Sequence, residues 1–541
     1  MMTCGLFASM LGWLFILPWS AALRPGSVQV GRTVYRGDTS VEGVTVYYGL
    51  PYAEAPLGEL RWRAPRPLLN SVFSPPKLVD ATSPPLPCVQ GTTGQGDAGG
   101  AGSEDCLKVN VYVPSNASSH SNLPVLVYIH GGGYTYGNPI NWPFIHWIQQ
   151  DSNVVVVSVY YRLSALGFLA VPELANPALG SLNVGFLDQI ESLRWVQKNI
   201  RAFGGDPNRV TINGESAGGS SVELHLTAKE PPSLFHGLIA QSVYRHTLTT
   251  PEQKKEEFLE FARQAGCSGS DVVTQLACLR KAPLSRIAPA QDAAALYDTP
   301  YTLWTPVLDG KVITDIPSSL ILRGKIKKIP VIIGSTTNET LAGGPTISQA
   351  LKAFFPQLTD GDIQDIQDAY PSSNYSDPFT MQTVTGGASV RCARDIFIKG
   401  ISPHNDVFVY RYNQPNPTQS APGNTGHAAE NWMMFEVLVY AMLKRPSFNG
   451  TTQFTQLNPV ETAFSQELIA YWLSFVRSLD PNTHKLARSP AWPKTRSTTR
   501  LVLQEDPAGS TTHSGVYVED EQADEVSLCN EVIRKIRHEQ H

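Results

Sequence analysis

The chain has 541 residues, 42% of them hydrophobic and only 16% charged, with 43 glycines, 41 prolines and a net charge of -5. That charge fraction, well under the ~25% of ordinary domains, excludes a disordered polyelectrolyte, and the composition excludes a coiled coil and a collagen-like repeat. The mild acidity leaves no electrostatic footprint for nucleic acid.

In chain order, residues 5–17 are almost wholly apolar, and Ser20-Ala21-Ala22 places small residues behind them. This pattern predicts a signal peptide over residues 1–22, although no Lys or Arg precedes the apolar run. The run is shorter than the ~20 residues a membrane span needs, and no later stretch or terminal signal predicts a stable membrane anchor. The expectation is a secreted, extracellular protein.

Six cysteines follow the signal: Cys88, Cys106, Cys267, Cys278, Cys392 and Cys529. None lies in a CxxC, so zinc ligation is a poor reading; bridges are the better one, with connectivity open. N-x-S/T sequons occur at Asn116, Asn338, Asn374 and Asn449 and fit an oxidising secretory route.

Buried parallel strands are predicted at Pro124–Ile129, Val154–Tyr160, Val210–Asn213, Val331–Gly334 and Asp406–Tyr412. Helices are predicted at Leu187–Arg201, Pro251–Gln264 and Glu461–Ser478, where apolar residues recur three or four apart. Strands alternating with helices predict an α/β fold. A literal GxGxxG at Gly94–Gly99 follows Pro-rich sequence instead of a strand, so it predicts a loop and no dinucleotide site. No HExxH or EF-hand loop is present; no metal and no other cofactor is expected.

Two motifs carry chemistry. Gly214-Glu215-Ser216-Ala217-Gly218 follows a predicted strand and opens a run, Ser220–Thr227, that can be helical. That is the setting of a nucleophile elbow, in which a tight turn exposes a serine hydroxyl above a helix N-terminus. His130-Gly131-Gly132-Gly133 directly follows another predicted strand. Glycines there let backbone N–H groups converge on one oxygen, as acyl transfer requires.

With these motifs the chain resembles the type-B carboxylesterase/lipase family of α/β-hydrolases, the group containing cholinesterases and fungal secreted esterases. The likeness runs through GLPYAEAPLGELRWRAPRP (49–67), SEDCLKVNVYVP (103–114), YIHGGGYTYG (128–137), YYRLSALGFLA (160–170), the segment 186–219 and PVLDG (306–310). It implies the α/β-hydrolase fold, a large, mostly parallel central sheet with helices on both faces and a gorge leading to the serine. It implies one such domain over residues 23–541, where length alone predicts several.

The resemblance also implies roles. Ser216 is the nucleophile, Glu339 of VIIGSTTNE the acid and His427 of the H-x-x-E stretch His427–Glu430 the base, in the chain order expected of this fold. Ala428 stands where the family usually has glycine. The oxyanion donors map to the N–H groups of Gly132, Gly133 and Ala217. On sequence alone His404 rivals His427, because it too flanks the strand at 406–412. The pairs Arg61–Glu104 and Arg162–Asp188 are read as scaffold. The family's bridges map to Cys88–Cys106, Cys267–Cys278 and Cys392–Cys529. A glycan on Asn338 would crowd the acid, so Asn116, Asn374 and Asn449 are the glycosylation candidates.

The expected partner is a small-molecule ester; the oligomeric state is not legible. The stretch Val89–Asp105 holds no aromatic residue, which argues against a choline-ester specialist using a cation–π contact there. A lipase or sterol esterase on the same fold is the alternative, and a non-catalytic adhesion protein a weaker one. The loops Tyr134–Phe144 and Asp298–Thr305 carry Tyr134, Tyr136, Trp142, Tyr301 and Trp304, readable either as gorge wall or as core.

Overall fold

The computed structural model describes residues 25–68, 77–90, 102–231, 234–294, 303–339, 346–355, 357–369, 386–415, 425–435, 448–449, 452–453 and 457–536. Three strands, β1 (Ser27–Val30), β2 (Thr33–Gly37) and β4 (Lys77–Ala81), form a small sheet, and a two-strand ladder pairs β12 (Phe448–Asn449) with β13 (Thr452–Gln453).

The remaining strands are β3 (Val44–Pro51), β5 (Lys108–Pro114), β6 (Leu123–Ile129), β7 (Val155–Val159), β8 (Gly205–Glu215), β9 (Gly237–Gln241), β10 (Val331–Thr336), β11 (Val407–Tyr412), β14 (Thr499–Leu503) and β15 (Tyr517–Asp520). They form one 10-stranded sheet in the order β15-β14-β11-β10-β9-β8-β6-β7-β5-β3. Its middle, from β7 across to β14, is parallel; β3, β5 and β15 run antiparallel to their neighbours.

The central strands β6 and β7 are nearly unbroken apolar runs because both faces are covered. Along β6, Val125, Val127 and Ile129 face one hydrophobic cluster and Leu126 and Tyr128 the other. Val407 and Val409 of β11 likewise oppose Phe408, Tyr410 and Tyr412. The helix Val184–Asn199 covers the first face through Ile190, Leu193 and Val196. The helix Pro459–Ser478 covers the second through Leu468, Trp472 and Phe475. Asn458 opens that second helix with a capping box to Glu461. A third cluster seats the helix Ala523–Ile536 on Leu351, Ile363 and Ile366.

All five predicted strands are present, with ends shifted by a residue or more. The main extension is β8, which begins at Gly205 instead of Val210. The helix expected from Leu187 starts at Val184, where left-handed Asn183 (φ 54°) turns the chain, and a 3-10 turn, Ile200–Phe203, closes it at Gly204. The helix expected from Pro251 starts at Lys255, because residues 251–254 are turns.

Three disulfides join Cys88 to Cys106, Cys267 to Cys278 and Cys392 to Cys529, with Cα–Cα distances of 5.0, 5.5 and 4.9 Å. Arg61 binds Glu104 bidentately at 2.6 and 2.7 Å, and Arg162 grips Asp188 with two bonds of 2.7 Å. No helix among the described residues is long and apolar enough to cross a membrane.

Candidate active site

Ser216 stands at the junction of β8 and the helix Ala217–Thr227, with φ 58° and ψ -121°. This backbone is costly for a side-chain-bearing residue, and such strain collects at functional sites. The flanking glycines are required by close packing. A Cβ on Gly214 would come within 2.4 Å of the Gly218 backbone, and one on Gly218 within 2.1 Å of the Ile129 carbonyl oxygen. The turn thus brings the serine over the C-terminal end of the sheet, with the dipole of the following helix behind it.

The loop after β6 lies against the same turn, for a Cβ on Gly131 would sit 3.0 Å from that of Ser216. Within this loop the carbonyls are occupied. Gly132 O accepts from the N–H groups of Thr135 and Tyr136, and Gly133 O from the Thr135 hydroxyl. Among the described residues, no backbone carbonyl takes the N–H of Gly132, Gly133 or Ala217. His130 is buried between Trp142 and Tyr161, with ring centroids 5.5 and 4.6 Å away, and burial pushes its pKa down to about 4. It packs the loop and stays neutral.

Glu339 follows β10 and His427 follows β11, so both reach the sheet end that carries Ser216. His427 Nε2 is 2.8 Å from Ser216 Oγ, and its Nδ1 is 2.6 Å from Glu339 Oε2. His404 precedes β11, at the opposite end of the parallel strands, and its ring lies beside Gly324. Ala428 takes φ 65°, the left-handed form a glycine adopts freely, so the departure from the family pattern is carried as backbone strain.

Glu339 is fully buried and its carboxylate is well provided for. Its Oε1 accepts from Ser242 Oγ at 2.7 Å and from the Thr336 N–H at 2.8 Å. Burial works to raise its pKa, but His427, Ser242 and Thr336 outweigh burial and hold it below the ordinary glutamate value. Burial also opposes protonation of His427. The Glu339 carboxylate, with Glu215 and Glu430 behind it, overcomes that and raises the imidazole to about 9.

Three residues here carried no assigned role in the sequence. Glu215 Oε1 lies 3.5 Å from His427 Nε2, and Glu430 Oε1 is 3.2 Å from the Tyr410 hydroxyl. Burial pushes both carboxyls up, Glu339 repels both, and Glu430 adds to the shift at Glu215. The hydrogen-bonded Glu339 therefore ionises first, and Glu215 and Glu430 ionise only at higher pH. Ser242, left-handed at φ 45°, directly follows β9. The short apolar run GLIAQ was its only sequence signal.

The aromatic loops divide. Tyr134, Trp142 and Trp304 are packed in the hydrophobic core, whereas Tyr136 is half-buried. Tyr301, Asn374 and the GxGxxG at 94–99 lie outside the described residues. Asn116 is exposed; Asn338 is half-buried, and its carboxamide oxygen accepts from the Thr425 N–H at 3.3 Å. Among the described residues, no cluster of His, Cys, Asp and Glu could hold a metal ion.

Comparison with known proteins extends the likeness over most of the chain. The model of the carboxylesterase family matches residues 21–522. A cholinesterase of Mus musculus is 29% identical over 85% of this chain and 79% of its own length. An acetylcholinesterase of Bungarus fasciatus is 28% identical over 89% of this chain and 83% of its own. The crystal structure of Aspergillus niger EstA superposes with a TM-score of 0.82 at 29% identity, covering 94% of this chain and 98% of that one. With a family match reaching across most of its length and an α/β-hydrolase sheet to bear it, the chain belongs to the carboxylesterase family and is a carboxylic ester hydrolase.

Proposed function

We propose that the protein hydrolyses small carboxylic esters through an acyl-enzyme on Ser216. The observation that carries this reading is the line of hydrogen bonds from Ser216 Oγ through His427 to Glu339, at 2.8 and 2.6 Å. Ser216 Oγ attacks the acyl carbon while its proton passes to His427 Nε2. The carbonyl oxygen becomes an oxyanion, received by the N–H groups of Gly132, Gly133 and Ala217. Collapse breaks the bond to the alkoxide, which leaves with the proton from Nε2. Water then repeats the sequence on the acyl-enzyme and releases the acid. Glu339 keeps the Nδ1–H tautomer and balances the transient imidazolium.

In this reading residues 1–22 are a signal peptide and 23–541 one catalytic domain, secreted and glycosylated at Asn116, Asn374 and Asn449. The engaged carboxamide of Asn338 supports leaving that sequon unused. A choline ester is disfavoured by the lack of an aromatic residue in Val89–Asp105. An adhesion role is disfavoured because every triad and oxyanion position is occupied.

The test is hydrolysis of p-nitrophenyl acetate and butyrate, with and without a serine-directed organophosphate. The expected result is turnover abolished by one adduct on Ser216, and a Ser216→Ala chain that folds, takes no adduct and has lost several orders of magnitude in kcat. Turnover by Ser216→Ala above about a tenth of wild type would move the nucleophile elsewhere.

A further inference from the structure

Donors that stabilise an oxyanion work only if held in place before the charge arrives. Three successive residues after His130-Gly131 have positive φ: Gly132 at 103°, Gly133 at 60° and Tyr134 at 61°. The first two are free to adopt this backbone; Tyr134 is not, and something must hold it there. Its carbonyl accepts the N–H of Ser164 at 2.8 Å, and the next carbonyl, of Thr135, accepts the Ser164 hydroxyl at 2.9 Å. Ser164 is completely buried and is itself left-handed, at φ 51°.

The other end of this clasp is fixed to the scaffold. Arg162, two residues earlier, gives Asp188 three bonds, from its backbone N–H at 3.1 Å and from its guanidinium at 2.7 and 2.7 Å. Its carbonyl is wedged between Gly167 and Gly185, where a Cβ would come within 2.2 and 2.4 Å. Phe168 of the same turn packs edge-on to Tyr134 at 4.9 Å. The turn Arg162–Phe168 is thus tied to the scaffold, and Ser164 is the residue through which it grips the glycine loop.

We infer that Ser164 is a positioning residue for the oxyanion site, its N–H and hydroxyl locking the carbonyls of Tyr134 and Thr135 so that the Gly132 and Gly133 N–H groups stay aimed at the reacting oxygen. The inference rests on the proposed mechanism. It separates two contributions: the backbone N–H survives exchange of Ser164 for Ala or Gly, whereas the hydroxyl does not.

Two variants test it. Ser164→Ala removes the hydroxyl and keeps a Cβ at positive φ; Ser164→Gly removes the hydroxyl and relieves the backbone. Each is assayed with p-nitrophenyl butyrate per active site, counted by end-point organophosphate labelling. Each is also titrated with a trifluoromethyl ketone, which adds Ser216 Oγ to its carbonyl and so carries a tetrahedral oxyanion. A small displacement of donors predicts a loss of about tenfold in kcat for both variants, with KM within twofold and ketone affinity falling in step with kcat/KM. A kcat within twofold of wild type in both, with only the melting temperature lowered, would make Ser164 merely structural. Normal kcat in Ser164→Gly alone would assign the effect to backbone strain and overturn the role of the hydroxyl. A wild-type chain without turnover would overturn the proposed function itself.

Discussion

Exchanging Glu339 for Gln removes one charge and almost no volume, so its effect reports on charge and hydrogen bonding with packing left as it was. The carboxylate receives donors on both oxygens: Thr336 N–H and Ser242 Oγ at Oε1, and His427 Nδ1 at Oε2. The Thr336 N–H cannot turn away, so the amide oxygen of Gln must stay on that side. The amide NH2 then faces Nδ1, which must become an acceptor. The ring proton moves to Nε2, 2.8 Å from Ser216 Oγ, where a base is needed and a donor is useless. The expected loss in kcat is about 10⁴-fold, equivalent to about 5 kcal/mol in the barrier. The residual activity should also show a displaced pH profile. Burial still disfavours the imidazolium, while the charge that raised it to about 9 is gone, so the acid limb should move down. Stopped-flow and steady-state hydrolysis between pH 5 and 10, with circular dichroism to verify folding, would measure both effects. A folded Glu339→Gln protein within tenfold of wild-type kcat, or with an unmoved acid limb, would refute this account.

Activity and stability should respond oppositely to pH around His427. The acid limb of kcat/KM should lie above the ordinary histidine value of about 6.5. The stabilisation from its pairing with Glu339 should be complete below about 6.5 and be lost as pH rises through about 9; denaturant midpoints across that range measure it. His404→Ala should leave kcat near wild type, because that ring sits at the far end of β11; a loss like that of His427→Ala would reverse the assignment. Thiol titration of the denatured, unreduced protein after signal removal should find no free cysteine, and each bridge lost should cost about 2–5 kcal/mol, read as a lower denaturant midpoint. Finally, the stretch between Cys88 and Cys106 is short, Gly-rich and nearly devoid of apolar side chains, so it gains little from an oil surface. Rate against tributyrin concentration should rise smoothly through the solubility limit; a sharp jump there, with good turnover of triolein, would establish the lipase alternative.

The site was legible where chemistry forces particular residues. The elbow glycines of GESAG exist because Gly214 and Gly218 meet backbone, and that clash is visible as a motif. Glu339 and His427 carry no such local mark; they became legible only through the family likeness, since their meeting with Ser216 depends on how β8, β10 and β11 align. Strands buried on both faces, such as β6 and β7, announce themselves as unbroken apolar runs. The edge strands β3 and β15 do not, being short or interrupted by polar residues, and β9 is too brief to stand out. Ser242 was missed with it. Tyr134, Trp142 and Trp304 show the converse ambiguity, because bulk alone does not distinguish a pocket wall from a core.

The order of strands across the large sheet nearly repeats their order in the chain, with β6 and β7 the one exchange. A polypeptide leaving the ribosome can therefore build the sheet by adding each strand to an edge already in place, without long waits for distant partners. Ser216, Glu339 and His427 come from the ends of three of these additions, β8, β10 and β11. On the proposed mechanism the nucleophile is made long before its base, and the growing chain gains hydrolytic competence only when β11 has joined. A chain cut short after β10 would carry the elbow but leave an apolar, unpaired central edge exposed, making it a substrate for aggregation and quality control instead of a feeble enzyme.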